Sequence, residues 1–236
     1  MTEQVLQLAL ADRNIPYRLT HRRRKTLSIK VTPELAVEVV APQGAGLDWV
    51  AQILAKRSGW IEKRLHYYTH INPPKPAPQY IDGEIHRFLD QPCELAVRRD
   101  IRLGVSVSKN IITVSTHYPA DQARTESLLN DWFAARAEEI FEVRLQVWLP
   151  RFANPDRVRP RQTRIKQMKS RWGSMNAKGD MTLNRALIHG PVNAIDYVIV
   201  HELCHRLVAD HSADFWAEVK AVMPDWKDRK RLLDLI

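Results

Sequence analysis

Between residues 17 and 41 apolar and polar side chains alternate in two runs, 26–31 and 35–41, parted by the turn-forming "TPE", which predicts a β-hairpin. The period then lengthens. Val50, Ile53, Leu54, Trp60, Ile61 and Leu65 recur at three- and four-residue steps, so 47–68 is expected to be an amphipathic helix, interrupted or weakened at Gly59. "NPPKPAP" at 72–78 cannot continue it, because proline removes backbone donors and fixes φ; it reads as a stiff connector. Four short alternating stretches follow, "YIDGEIHRFLD", "CELAVRR", "GVSVSK" and "IITVST", with turns at Asp82-Gly83 and Lys109-Asn110. Helical spacing resumes over 120–149 and stops at Pro150 and Pro155. Strands are expected at 162–168 and 181–188, joined through "SRWGSMNAKGD", and 191–236 reads as helices broken near Asp210-His211 and Pro224. The pattern is α+β: a β-rich N-terminal module with one helix over 1–117, then a helix-rich module over 118–236.

Composition narrows the class. With 236 residues, 44% of them apolar, the chain can bury a full core. Its 36 Lys and Arg against 27 Asp and Glu leave a net charge of +9, which favours anionic partners: nucleic acid, nucleotides or acidic surfaces. Two cysteines, Cys93 and Cys204, are too few for a disulfide framework and fit a reducing compartment. The N-terminal stretch has no basic residue ahead of a short apolar run broken by Gln, unlike a signal peptide. No apolar run approaches the roughly 20 residues that a membrane-spanning helix needs. The expectation is a soluble, cytoplasmic protein.

The candidate chemistry sits in "YVIVHELCHRLVADHSADFWAEV", residues 197–219. Four residues of α-helix turn through about 400° and rise about 6 Å, so His201 and His205 share a face and can close on one metal ion. Glu202 is rotated by about 100° from His201, which puts its carboxylate beside such an ion in the position of a general base. Catalytic zinc centres usually take three protein ligands and leave the fourth position to water. His211 is the expected third, with Asp210 and Asp214 as alternatives. On an unbroken helix His211 would lie roughly 15 Å along the axis from His201, so the helix has to end between them. Asp210 and Ser212 offer capping side chains there, and "SADFWAEV" restarts helical spacing. Cys204, on the flank of the ligand face, reads as a small buried filler.

The stretch "KSRWGSMNAKGDMTLNRALIHGPVNAIDYVIVHELCHRLVADHSADFW" resembles the YgjP-like family of metal-dependent hydrolases, relatives of the SprT-like zinc peptidases. The likeness extends to the "RRRKTLSIKV" hairpin and the helix carrying "WI". It implies a zincin-like catalytic module over 118–236: a short antiparallel sheet, the motif helix and C-terminal helices. It also implies zinc held by His201, His205 and His211, with Glu202 as general base. Relatives carry "WGSC" where this chain has "WGSM", so Met175 stands in the place of their cysteine.

Hydrolysis on such a site would use a zinc-bound water whose proton Glu202 takes and passes to the leaving group. A peptide substrate would pair with a sheet edge above the motif helix, and 181–188, with Asn184 on it, is the expected edge. Tyr197, one turn before His201, is expected either to donate to a developing oxyanion or to fill the core. Arg171, Trp172 and Ser174 lie in the hairpin expected to face the site, Arg171 as a grip for an anionic substrate. Arg157, Arg159, Arg161, Arg164, Lys166 and Lys169 lead up to it; if they line the cleft, the substrate is anionic or lies on nucleic acid. "HRRRK" at 21–25 reads as a solvated turn.

The first expectation is therefore a zinc-dependent peptidase acting on polypeptide, with nucleic acid as a further partner of its basic surface. The alternative is a metal-dependent nucleotide pyrophosphatase or phosphohydrolase using the same metal and a basic cleft, without a Walker-type glycine loop. A non-catalytic nucleic-acid-binding protein with a structural metal is the third; Glu202 argues against it, since a closed structural site has no use for a base.

Overall fold

The computed structural model describes residues 3–9, 14–71 and 77–236; most of the proline-rich connector, 72–76, lies outside them. Two compact units part between residues 77 and 78.

In the first unit, strands β1 (Glu3–Ala9), β2 (Asn14–Arg22), β3 (Ser28–Val31) and β4 (Val37–Pro42) lie in the order β1-β2-β4-β3, with β2 and β4 parallel. Alternation does the sorting: Ile15, Tyr17 and Leu19 of β2 and Val37, Val39 and Ala41 of β4 point into one core. Helix α1 (Leu47–His66) lays Val50, Leu54, Ile61 and Leu65 on it. The expected hairpin is β3-β4, with Lys30 opposite Glu38 in register. The β1-β2 pair falls where no strands were expected. Gly59 does not break α1, and a Cβ there would meet nothing within 4 Å.

In the second unit, β5 (Ile85–Phe88), β6 (Gln91–Arg99), β7 (Gly104–Ser108) and β8 (Ile111–Thr116) form a sheet ordered β5-β6-β8-β7. Lys109 and Asn110, both with positive φ (47° and 62°), make the tight β7-β8 turn. Helix α2 (Gln122–Trp148) starts at Asp121, whose carboxylate accepts the Arg124 N–H at 2.9 Å. Leu129, Phe133, Ala137, Phe141 and Leu145, at four-residue steps, make a stripe down its buried face. That stripe packs into the same core as Leu95, Val97, Ile112 and Val114 of β6 and β8. The boundary expected at 117/118 therefore moves to 77/78: a sheet that shares its buried face with α2 cannot belong to a separate module.

After the single-turn α3 (Pro155–Val158), strands β9 (Gln162–Lys166), β10 (Gly173–Met175) and β11 (Asp180–Asn184) form a second sheet in the order β10-β11-β9. It is mixed, not antiparallel, because β11 pairs antiparallel with β10 and parallel with β9. Both sides of β11 are thus occupied, and residues 185–189 turn into a 3-10 helix. The expected substrate edge at 181–188 is a central strand; β10 and β9 are the edges, and β10 is the one that lies against Glu202. Helices α4 (Val192–Cys204), α5 (Ala213–Val222) and α6 (Trp226–Arg231) complete the unit. All but the first two residues of α4 and His201 are buried. No helix among the described residues is long and apolar enough to cross a membrane.

Candidate metal centre

The motif helix ends where the spacing demanded. α4 stops at Cys204, and the Leu207 and Val208 N–H groups both close on the Cys204 carbonyl, at 2.9 and 3.0 Å. Asp210 accepts the Ser212 N–H at 3.2 Å, which ties it to the turn preceding α5; the Ser212 side chain first, and then this N–H, hold its carboxyl below the usual carboxylate range. His211 is carried back over the helix end. Each of His201, His205 and His211 offers one ligating atom within 4.8 Å of the others, so the third member of the set is a histidine and not Asp210 or Asp214. The three ring centroids are 5.0, 4.9 and 4.8 Å apart, close to an equilateral triangle.

Hydrogen bonds on the far sides of the rings set which nitrogen faces inward. His205 donates its Nδ1–H to the Val208 carbonyl at 3.2 Å. The His201 Nδ1 lies 3.4 Å from the Tyr197 hydroxyl. His201 Nε2 and His211 Nε2 then meet at 3.0 Å. Two imidazole lone pairs at that distance repel unless a proton or a cation lies between them, and orienting partners behind metal-binding imidazoles are the usual way such ligands are aimed. Burial first, then the neighbouring His205, His211 and Lys230 charges, holds the His201 pKa down at about 3; burial also lowers that of His205. Both shifts favour the neutral, ligating form of the ring. Imidazole nitrogens oriented in this way fit a divalent metal ion. Phe215 lies beneath the set, its ring centroid 4.9, 4.6 and 4.8 Å from those of His201, His205 and His211, and is fully buried.

Glu202 points to the other flank, toward β10. Burial pushes its carboxyl up to about 7, while a backbone hydrogen bond from Met175 and the Arg171 charge pull the other way. The approach is close: a Cβ on Gly173 would sit 2.6 Å from Glu202 Oε1 and 2.9 Å from Val198 Cγ1. Only glycine lets β10 lie there. Two cavities, of about 390 and 540 Å³, share Arg171, Gly173, His201, Glu202 and His211 and extend from them in different directions. Trp172, Trp216 and Lys230 line the smaller, Ser174, Met175 and His205 the larger.

Of the expected substrate-binding residues, Arg171, Trp172 and Ser174 thus reach the cleft. Asn184 does not. It is 4% exposed, and its amide is consumed by the Met168 N–H, the Met168 and Arg171 carbonyls and the Ala186 N–H. It clamps the loop that carries Arg171. Tyr197 is buried and lines the smaller cavity, with its hydroxyl 3.4 Å from His201 Nδ1, where it can orient that ring. Its pKa is pushed up to about 12, by burial and then by Glu202, so it stays a phenol. Cys204 is a buried thiol, also pushed up to about 12 by burial. Arg164 and Lys166 line a different hollow, with Glu138 and Glu142 of α2, and Arg161 lies 3.4 Å from Asp180.

Several contributors were not foreseen. Trp216 stacks on Trp226 at 4.5 Å, and Lys230 lies 5.3 Å from the Trp216 ring. Their partners are up to fourteen positions apart in sequence, beyond any helical period, so no spacing pattern announces them. Phe215 falls in the stretch where helical spacing restarts, four residues after His211, a pattern that does not by itself mark it as a neighbour of the histidine set.

A comparison with curated proteins gave no match. Among solved structures, the metallopeptidase zymogen abylysin of Pyrococcus abyssi is 24% identical, over 41% of this chain and 90% of that one, with a TM-score of 0.32. The family model for the YgjP-like metallopeptidase domain matches residues 25–235. Because that match runs from the β3-β4 hairpin through the last helix, and so takes in the three histidines and Glu202 alike, the chain belongs to the YgjP-like family.

Proposed function

We propose that the protein is a zinc-dependent peptidase of the cytoplasm, in which Glu202 activates water for attack on a peptide bond. The observation that carries the reading is the position of the histidine set: it stands in a cleft open in two directions and bordered by the edge strand β10. An extended polymer suits such a cleft, and an unpaired strand offers main-chain hydrogen bonds to a peptide.

A zinc ion held by His201, His205 and His211 would supply an electrophile for the scissile carbonyl and acidify water beside it. Glu202 then takes the proton from water and delivers it to the departing amine. Without the ion, burial lifts this carboxyl to about 7, and a proton acceptor works best with a pKa near the working pH. Gly173 keeps the β10 backbone against that carboxylate, so substrate laid along β10 is brought within reach of it. Tyr197 and Val208 hold the His201 and His205 rings in the orientation that presents Nε2. Arg171 borders both arms of the cleft and can anchor a carboxylate of the substrate.

The nucleotide alternative draws its support from Arg171 and Lys230, the two cations lining the smaller arm. One assay separates the two. Zinc-loaded protein is offered an unfolded casein-type polypeptide and a panel of nucleoside triphosphates, beside Glu202→Gln. The expected result is peptide cleavage that is lost in the variant while zinc binding is kept. Pyrophosphate release without peptide cleavage would move the assignment to the alternative.

A further inference from the structure

None of this chemistry uses the first unit, yet that unit holds most of the chain's excess charge. Residues 1–77 contain twelve Lys and Arg against six Asp and Glu, which is +6 of the total +9. Between β3 and α1 lies a groove of about 420 Å³. Its apolar surface comes from Leu27, Ile29 and Ile53, with Trp49 and Trp60, and its charge from Lys25 and Arg57. No carboxylate is among the lining residues. Trp49, Ile53, Arg57 and Trp60 fall at steps of four, four and three, a single stripe beside the α1 face that packs the core.

The two indoles are 42% and 45% exposed, an unfavourable arrangement for large apolar rings unless something covers them. They stand roughly 16 Å apart along the helix axis, with Arg57 between. Arg22, Arg23 and Arg24, all exposed, run directly into Lys25. The ligand that matches is one with planar apolar groups strung on an anionic backbone: the rings stack and the phosphates meet the cations. An acidic peptide would answer the charge but not the two flat indoles. A bilayer would need apolar tips that project, whereas these line a concavity.

We infer that this groove binds single-stranded nucleic acid. The proposal is independent of the peptidase reading, since it places the ligand on a unit that contains none of the metal-centre residues.

The test uses the full zinc-loaded chain and a fluorescein-labelled oligo-dT of about 12 nucleotides. Binding is expected to rise in anisotropy titrations, quench tryptophan fluorescence, and weaken with salt by about 0.7 log units per decade for each phosphate contact. Trp49→Ala and Trp60→Ala should each weaken it about tenfold, Trp60→Phe much less. Lys25→Glu with Arg57→Glu should weaken it and flatten the salt slope. Peptidase activity should be unchanged in all of them. The inference is overturned by no binding at roughly 50 mM salt, by indole variants that bind like wild type, or by equal competition from a duplex, polyglutamate or phosphatidylserine vesicles.

Discussion

Glu202 answers to two opposed requirements. It must be a base near neutral pH, and it must sit in an apolar wall 5% exposed, where ionisation is disfavoured. The linkage has a definite sign. Its folded pKa, about 7, is raised above the unfolded value of about 4.5, so its contribution to stability is complete below the unfolded pKa and is lost as pH rises through 7. Metal-free Glu202→Gln should therefore be more stable than metal-free wild type at pH 8, by up to about 3 kcal/mol, with the gap closing toward pH 5. Urea unfolding of both proteins across that range measures it; a gap independent of pH would contradict the assignment. The residue types and their i, i+1, i+4 spacing were readable in the sequence, because helical geometry alone places them. The placements of Tyr197 and Asn184 were not: each depends on hydrogen bonds to groups whose positions the chain's local pattern does not determine.

At the scale of elements, the centre depends on α4 being held on all sides. Asp196, 1% exposed in its middle, takes a two-point ion pair from Arg144 of α2 at 2.7 and 2.8 Å and a third contact from Arg229 of α6 at 3.0 Å. The two arginines are partly solvated, 27% and 18% exposed at the side chain, and Arg229 keeps Asp225 at 2.8 Å, so removing Asp196 costs less than in a dry core but still takes the carboxylate from Arg144. Asp196→Ala should lose about 3 kcal/mol in urea unfolding, against less than about 1 kcal/mol for Arg231→Ala, which breaks the exposed Arg231–Asp228 pair. Equal losses would mean the buried network does not tie the helices. Helices α1, α2 and α4 were legible from periodicity, as were β3 to β8. The order within the second sheet was not. Alternation says that 180–184 is a strand, but it is equally consistent with an edge and a centre, and only pairing on both sides of β11 distinguishes them.

For the whole molecule, the division at 77/78 makes a prediction about metal removal. The histidine set lies wholly in the second unit, so a metal ion bound there is expected to stabilise that unit by mass action and leave the first alone. Zinc at about a hundred times its Kd adds roughly 2.7 kcal/mol, which for a unit of this size corresponds to about 5–10 °C in Tm. Calorimetry with and without chelator should show one transition moving by that amount and the other fixed. A joint shift of both would show that the units do not unfold separately.

The residues of the centre and the need for a helix break between His205 and His211 follow from the sequence by itself, since both rest on the repeat of a single helix. Tertiary structure alone decided the rest: β6 and β8 belong with α2, β10 takes an edge, and Trp226, Arg144 and Arg229 reach the motif helix from distant positions. The physical reason is the same in each case. Periodicity reports which face of an element is apolar, and it carries no information about which other element will cover that face.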